Sequence, residues 1–212
     1  MPDITIASGL AALALLLDAP ERAAQRVDLC ALDALAVEAR EEIRRLPSAK
    51  RREHYSLIYL ADDGRLAHTP AKPGLSDKVT LQQIEATLSA AGVGPERMVG
   101  FVHNHPIEQY GFSPTERGMN RYPSGGLASQ GDWRFARWLV EQGAGGPTGE
   151  AVFLYVVDIR NAVRRFDFAE RDSYVALTPR DQEKGLNLPP TLSGKGGRCR
   201  KAAPSGGARR AR

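Results

Sequence analysis

Met98-Val-Gly-Phe-Val-His103-Asn-His105-Pro106 is an apolar run that ends in two histidines and a proline. The run is typical of a buried β-strand, and Pro106 ends it because proline has no N–H for the next ladder bond. Alternate residues of a strand project to the same face, so His103 and His105 would direct two imidazoles to one point. Such a pair either binds a metal ion or is solvated at the strand end, and this stretch alone leaves both interpretations open.

A carboxylate that would complete a metal site follows at Ser129-Gln-Gly-Asp132. Residues 132–142 have the apolar spacing of a helix, which places Asp132 at its start. Two imidazoles, one carboxylate and one water form a complete catalytic zinc shell, so His103, His105 and Asp132 are the predicted metal ligands. Ser129-x-x-Asp132 is also a helix capping box. The two interpretations are compatible, since a capped helix start would hold the aspartate in place.

The order of the predicted elements indicates an α/β fold with a mixed, largely antiparallel sheet flanked by helices. Three regions are expected: an N-terminal helical region over 1–47, a main domain over 48–178 and a disordered basic tail over 179–212. Residues 107–128 form an unusually long connection, and loops of that length are more often functional than accidental. The predicted elements are helical residues 8–46, strands 53–60 and 65–69 joined by a turn at 62–64, a loop over 71–79, a helix over 80–92, a strand over 98–103, a helix over 132–142, and strands 151–157 and 163–168.

The basic character of the chain belongs to its C-terminal end. The formal net charge is +4, but residues 191–212 hold seven Lys and Arg and no Asp or Glu, which leaves −3 on the rest. This Gly-, Ser- and Arg-rich tail lacks apolar periodicity and is predicted to be disordered. It would contact nucleic acid, an acidic partner or a membrane surface, serve as a secretion address, or have no specific role.

Cysteine usage and the N-terminal apolar stretch bear on the compartment. Cys30 lies in a helical pattern and Cys199 in the tail, so both are expected to be free thiols in a reducing environment. The apolar stretch 9–17 has no preceding Lys or Arg and is too short to span a bilayer, so it is predicted to be a buried amphipathic helix. We therefore expect a cytoplasmic protein without a membrane span, and delivery into another cell stays open.

The combined motifs resemble the JAMM motif of the JAB/MPN zinc metallopeptidases. His103-x-His105-Pro106 followed by Ser129-x-x-Asp132 has that motif's order, and residues 52–66, which include Glu53, resemble the family's segment around its catalytic glutamate. The asparagine between the histidines makes the chain most similar to bacterial branches, including RadC-like proteins and the JAB domains of toxins. The resemblance covers about residues 50–168 and implies a JAB/MPN-like fold with cytidine-deaminase-like layering.

The spacing of the aspartate departs from the family pattern. His105 and Asp132 are 27 positions apart, which is longer than is usual in the family, and Ser113-Pro-Thr-Glu116 stands at the usual spacing. Asp132 is preferred because a predicted helix and then a strand follow it. Glu116 is followed by Arg-Gly-Met-Asn-Arg-Tyr-Pro-Ser-Gly-Gly, which cannot sustain a helix.

The resemblance implies a zinc-dependent hydrolase that cleaves a peptide or isopeptide amide, such as one formed by a ubiquitin-like protein. Zinc would be held by His103, His105 and Asp132 and would lower the pKa of a bound water to about 7. Glu53 would take the proton of that water and return it to the leaving amine, and Ser129 would donate to the developing oxyanion. Residues 107–128 are the candidate specificity loop.

Other roles remain open at this point. The resemblance is compatible with a hydrolase that acts as a bacterial toxin or effector. The alternatives to a hydrolase are a catalytically inactive JAB-type scaffold and a DNA-associated RadC-like protein. Trp133 and Trp138 would line a substrate groove or, because of their helical spacing, pack in the core. His54 points away from Glu53 by strand alternation, and His54 and His68 are at most reserve ligands.

Overall fold

The computed structural model describes residues 27–76, 78–106, 127–145, 152–158, 161–175 and 189–192. Residues 1–26 of the predicted helical region, 107–126 of the long connection and 193–212 of the tail lie outside these ranges. Short 3-10 helices occur at Pro95–Arg97 and Phe168–Glu170. The other elements are α1 (Leu29–Arg45), β1 (His54–Leu60), β2 (Leu66–His68), β3 (Lys72–Pro73), α2 (Leu81–Ala90), β4 (Met98–Asn104), α3 (Gln130–Glu141), β5 (Phe153–Val157), β6 (Val163–Asp167), α4 (Arg171–Val175) and β7 (Thr191–Leu192).

A single sheet joins the seven strands of the described residues. Their order is β2-β1-β4-β5-β6-β7, with β3 also paired to β1. All neighbours run antiparallel except β4 and β5, which are parallel. Parallel neighbours need a crossover connection, and α3 lies in the connection between β4 and β5. The predicted α/β class, with a mixed, largely antiparallel sheet and flanking helices, is confirmed.

Helix α1 covers one face of the sheet. Its side chains at positions 32, 36, 39 and 43 are buried, because spacings of three and four residues place them on one helical face. Asp28 caps the helix by accepting from the N–H groups of Cys30 and Ala31. The buried row forms one core cluster with strand residues that include Ile58, Val102, Tyr155 and Val163. Residues 29–45 therefore share a core with the strands of the region predicted as 48–178.

The opposite face of the sheet is covered by α2, α3 and α4. Thr80 begins α2 with a capping box that it forms with Gln83, and Tyr174 of α4 stacks on Trp133 with ring centroids 6.1 Å apart. The layers are thus helix, sheet and helix. The core cluster on this face contains Ile84 and Leu88 of α2, Trp133, Ala136 and Leu139 of α3, and the strand residues Tyr55, Leu57, Phe101, Leu154, Val156 and Phe166.

A polar clamp ties α1 to β5 and β6. The Tyr155 hydroxyl donates to Asp33 Oδ1 at 2.8 Å, and Arg165 donates to both Asp33 oxygens at 3.1 Å. Arg165 also donates to Asp167 at 2.9 Å and lies over the Phe153 ring. Burial, reinforced by the charge of Asp33, raises the pKa of Tyr155 far above its ordinary value. The hydroxyl therefore keeps its proton and remains a donor.

Two short strands lie in segments that were predicted to be a loop and a disordered tail. The 71–79 segment contains β3, which pairs with His54 and Tyr55 of β1. Its Pro73 is compatible with an edge strand, where a missing N–H leaves no ladder bond unmade. The tail predicted as disordered over 179–212 contains β7, which pairs with the open edge of β6. The prediction is wrong at these two residues, because the β6 backbone supplies partners for them and Arg164 donates to Pro189 O at 2.6 Å.

Cys30 is disulfide-bonded, so the expectation of a free thiol at this position is wrong. The residue stands in the first turn of α1, outside the row that the helix buries, and helical periodicity carries no information about a covalent partner. The other cysteine of the chain, Cys199, lies outside the described residues. Among helices in the described ranges, none is both long and apolar enough to cross a membrane.

The packing of α1 predicts that its buried face contributes to the stability of the whole domain. Leu32 has no exposed surface, whereas Leu29 in the same helix is 38% exposed. We expect Leu32→Ala to lower the free energy of unfolding by about 2–5 kcal/mol because it leaves a cavity. Leu29→Ala, the matched control, should change it by less than about 1 kcal/mol. Urea denaturation measures both, and equal effects would show that α1 does not share the core.

Candidate metal centre

The end of β4 positions the two histidines. His103 pairs across the sheet with Tyr55 of β1 and Val156 of β5, and the His105 N–H donates to Val157 O at 3.0 Å. This bond keeps the chain extended beyond Asn104, so both imidazoles lie on the face that α3 covers. His103 is 1% and His105 3% exposed. The strand-end pair is therefore buried rather than solvated.

The start of α3 positions the aspartate. Asp132 N–H donates to Ser129 Oγ at 3.2 Å, and Ser129 N–H donates to Asp132 Oδ2 at 2.6 Å, which completes a capping box. The second carboxylate oxygen, Oδ1, lies 3.3 Å from His103 Nε2. One oxygen of Asp132 thus caps the helix and the other faces the histidines. The capping box predicted for Ser129-x-x-Asp132 is therefore present, and it leaves Oδ1 directed at the histidines.

The three side chains lie close enough together to share a cation, and two of their separations have the value expected for metal ligands. His103 Nε2 lies 3.1 Å from His105 Nε2, and the ligand atoms of His103, His105 and Asp132 all lie within 4.8 Å of one another. Bonds of about 2.0–2.1 Å to a tetrahedral metal place neighbouring ligand atoms about 3.3 Å apart. The observed separations of 3.1 and 3.3 Å match that value. This group can hold a metal ion.

Charge in the cluster also favours a cation. Burial disfavours the ionised Asp132 carboxylate, but His103, His105 and the Ser129 N–H outweigh it and hold the pKa of Asp132 below its usual range. Burial likewise opposes a charged His103, and Asp132 together with Glu53 overcomes this and raises the pKa of His103. Asp132 is therefore anionic at neutral pH. The centre carries negative charge that a proton or a metal ion can balance.

The His103 ring is held from its other side by aromatic packing. It stacks on Phe101, with centroids 4.7 Å apart, and Phe101 in turn meets Phe135 of α3 edge-on at 4.9 Å. His103 Nδ1 is buried and meets no hydrogen-bond partner within the part of the chain that the structure describes. Its Nε2 is the nitrogen that faces the cluster. The ring is thus oriented by packing, and it presents one nitrogen to a ligand.

Glu53 reaches the same region from β1. It directly precedes that strand, next to the last β1–β4 pair at Tyr55 and His103, and its charge contributes to raising the pKa of His103. The Glu53 N–H donates to Leu75 O at 3.1 Å, and Glu53 O accepts from Gly74 N–H at 2.8 Å. Glu53 is buried, with 6% of the residue exposed. The backbone of Glu53 is therefore held firmly beside the histidine pair.

A cavity of about 380 Å³ opens at this point. Glu53, Ser129 and Asp132 all line it, and Lys78 and Arg134 contribute two cations. The structure thus brings three of the predicted site residues to one space. The remaining walls are mostly apolar and come from Val79, Leu81, Ile84, Phe101, Phe135 and Trp138.

Other predicted residues lie elsewhere. His54 Nε2 interacts with Ser48 Oγ at 3.0 Å and His68 Nδ1 with Ser56 Oγ at 3.2 Å, so neither belongs to the metal cluster. Glu116 lies outside the described residues. The two tryptophans have different locations, because Trp138 lines the cavity and Trp133 packs in the core. Helical spacing could not distinguish them, and no sequence signal marked Lys78, Phe101, Arg134 or Phe135.

No family model, curated protein or solved structure matches this chain. The resemblance to the JAB/MPN metallopeptidases therefore rests on the motif residues. The geometry around them supports a cation site.

The cluster predicts that the protein binds one divalent cation through His103, His105 and Asp132. His105→Ala and Asp132→Asn should each weaken Co²⁺ and Zn²⁺ binding by at least about 100-fold, because each removes a ligand. Isothermal titration and the visible absorption of bound Co²⁺ measure this. His68→Ala is the matched histidine control and should bind as the wild type does.

The same titration tests the choice between the two acidic residues. Glu116→Ala should retain the metal, because Asp132 already faces His103 at 3.3 Å. If Glu116→Ala loses the ion and Asp132→Asn keeps it, the assignment of the third ligand is wrong. A wild-type protein that takes up no divalent ion would contradict the site itself.

Proposed function

We propose that the protein is a zinc-dependent hydrolase that cleaves a peptide or isopeptide amide bond. The observation that carries the proposal is that Glu53 opens onto the same cavity as Ser129 and Asp132, beside a buried His, His, Asp group. Within the described ranges the group offers three protein ligands, and two histidines with one carboxylate are the donor set of a catalytic zinc site in which a fourth position remains for water. A structural zinc site would instead have four protein ligands.

The residues divide the chemistry of amide hydrolysis among them. Zinc held by His103, His105 and Asp132 would act as a Lewis acid and would lower the pKa of water at the site to about 7. The Glu53 carboxylate accepts a proton from the attacking water and returns it to the nitrogen of the leaving amine. The Ser129 Oγ accepts a hydrogen bond from the Asp132 N–H. The Ser129 O–H is then available to donate a hydrogen bond to the carbonyl oxygen of the substrate as negative charge develops there.

The cavity walls support a substrate with an apolar side chain near the scissile amide. Leu81 is 40% exposed and, with Ile84 and Trp138, presents an apolar surface close to Glu53. Burial of an apolar side chain there would favour binding by about 25 cal/mol per Å². A peptide or the C-terminal segment of a ubiquitin-like protein, joined through an isopeptide bond, supplies such a group next to an amide.

The position of Glu53 favours an enzyme over an inactive scaffold. A scaffold has no need of a carboxylate buried beside a cation site, where burying a charge carries a large cost. Amide hydrolysis needs a base for water and an acid for the leaving amine, and one carboxylate serves both purposes.

Replacing the proposed base tests the enzyme directly. Glu53→Gln keeps the size and polarity of the side chain but cannot accept a proton, so it should retain zinc and fold while kcat falls about 100-fold or more. The assay uses zinc-loaded protein with fluorogenic dipeptide amides and with isopeptides linked through the lysine ε-amine. Metal content and the melting temperature are the controls. An unchanged kcat would remove Glu53 from the mechanism, and a wild type that cleaves nothing in the panel would favour the scaffold.

Ser129 allows its helix-capping and catalytic roles to be separated. Glycine costs a helix N-cap only a few tenths of a kcal/mol relative to serine, and it keeps the backbone N–H that donates to Asp132 Oδ2. Ser129→Gly should therefore retain stability and zinc but lose about 10- to 100-fold in kcat, because the donor to the oxyanion is gone. If thermal stability and kcat both stay at the wild-type level, Ser129 has no catalytic role.

A further inference from the structure

Asn104 stands between the two histidines, and its side chain takes a different direction from theirs. It is 5% exposed, and alternation along β4 sends it to the α1 face of the sheet. Its Oδ1 accepts from the His54 N–H at 2.6 Å, and its Nδ2 donates to Ala49 O at 2.8 Å and to Arg52 O at 3.4 Å. Every polar atom of this buried amide is thus engaged with the chain around Glu53.

The amide brackets Glu53. It binds the carbonyl of the residue before Glu53 and the N–H of the residue after it. Backbone pairing between β1 and β4 ends at Tyr55 and His103, whereas β4 stays bonded to β5 through the His105 N–H, which donates to Val157 O. The Asn104 side chain therefore replaces the backbone of β4 as the partner of β1 at the point where the two strands separate.

We propose that Asn104 is the positioning residue that sets the distance between Glu53 and the metal cluster. The proposal rests on the function proposed above. Asn104 is joined covalently to both predicted histidine ligands, so a hydrogen bond from its side chain to the Glu53 segment transmits their position to the base. Asparagine suits this task because it supplies one acceptor and two donors on a short side chain, whereas aspartate has no donor when ionised. A displacement of about 1 Å in a catalytic group can cost as much as about 100-fold in rate.

A matched hydrogen bond elsewhere on β1 provides the control. Thr69 is 4% exposed, and its Oγ1 accepts from the Leu57 N–H at 3.0 Å. Thr69→Val removes this side-chain partner of β1 at a point away from Glu53 and keeps the volume of the side chain. A residue with a merely structural role should behave as Thr69 does.

The experiment compares Asn104→Ala with Thr69→Val in the zinc-loaded full chain. Asn104→Ala should retain zinc and KM, lose about 10- to 100-fold in kcat, and show faster hydrogen exchange at the His54 amide. Thr69→Val should keep the wild-type kcat even if its melting temperature falls by as much as that of Asn104→Ala. Where Asn104→Ala does not fold, Asn104→Asp is used, which keeps the acceptor for His54 and loses the donors.

Two further measurements decide the route of the effect. Adding Asn104→Ala to Glu53→Gln should lower kcat no further, because the positioned base is already absent; an additive loss overturns the proposal. A kcat of Asn104→Ala equal to that of the wild type, or an equal loss in Thr69→Val, also overturns it. If the wild type cleaves no amide, the proposed function fails, but hydrogen exchange at the His54 amide still tests whether Asn104 holds the segment around Glu53. Faster exchange in Asn104→Ala supports this positioning role, and unchanged exchange overturns it.

Discussion

The mixed pairing of β4 is the constraint on which the site depends. Antiparallel pairing with β1 brings Glu53, which directly precedes that strand, close to the end of β4 where the histidines stand. Parallel pairing with β5 requires a crossover, and α3 within it presents Asp132 to His103. One central strand with two kinds of neighbour therefore brings together groups from three distant parts of the chain.

Several side chains near the centre serve the fold and the site at once. Asp132 caps α3 with one oxygen and faces His103 with the other, while Asn104 replaces a strand partner for β1. Buried polar groups of this kind must be satisfied, since an unpaired one costs as much as a lost hydrogen bond or more. A substitution at these positions is therefore expected to change stability together with the proposed chemistry, and paired measurements separate the two.

Local patterns in the sequence predict most elements to within two or three residues, because apolar periodicity and helix caps are local. The predicted strand 98–103 is Met98–Asn104, and the helix over 80–92 is Leu81–Ala90. Two strands and one disulfide were not predicted, because each depends on a partner elsewhere in the chain. β3 and β7 are two-residue strands that exist only because β1 and β6 offer open edges, and the Cys30 disulfide depends on a second cysteine that periodicity cannot bring near.

The sequence by itself determined which residue types form the candidate centre. Two-residue periodicity puts His103 and His105 on one face, and the Ser129-x-x-Asp132 pattern puts a carboxylate at a capped helix start. Only the tertiary structure decided that Asp132 reaches His103, that Trp138 lines the cavity while Trp133 is buried in the core, and that the Asn104 amide holds the chain on both sides of Glu53. Such contacts join residues that lie far apart in sequence, and strand order and register, which local propensities do not encode, decide whether they meet.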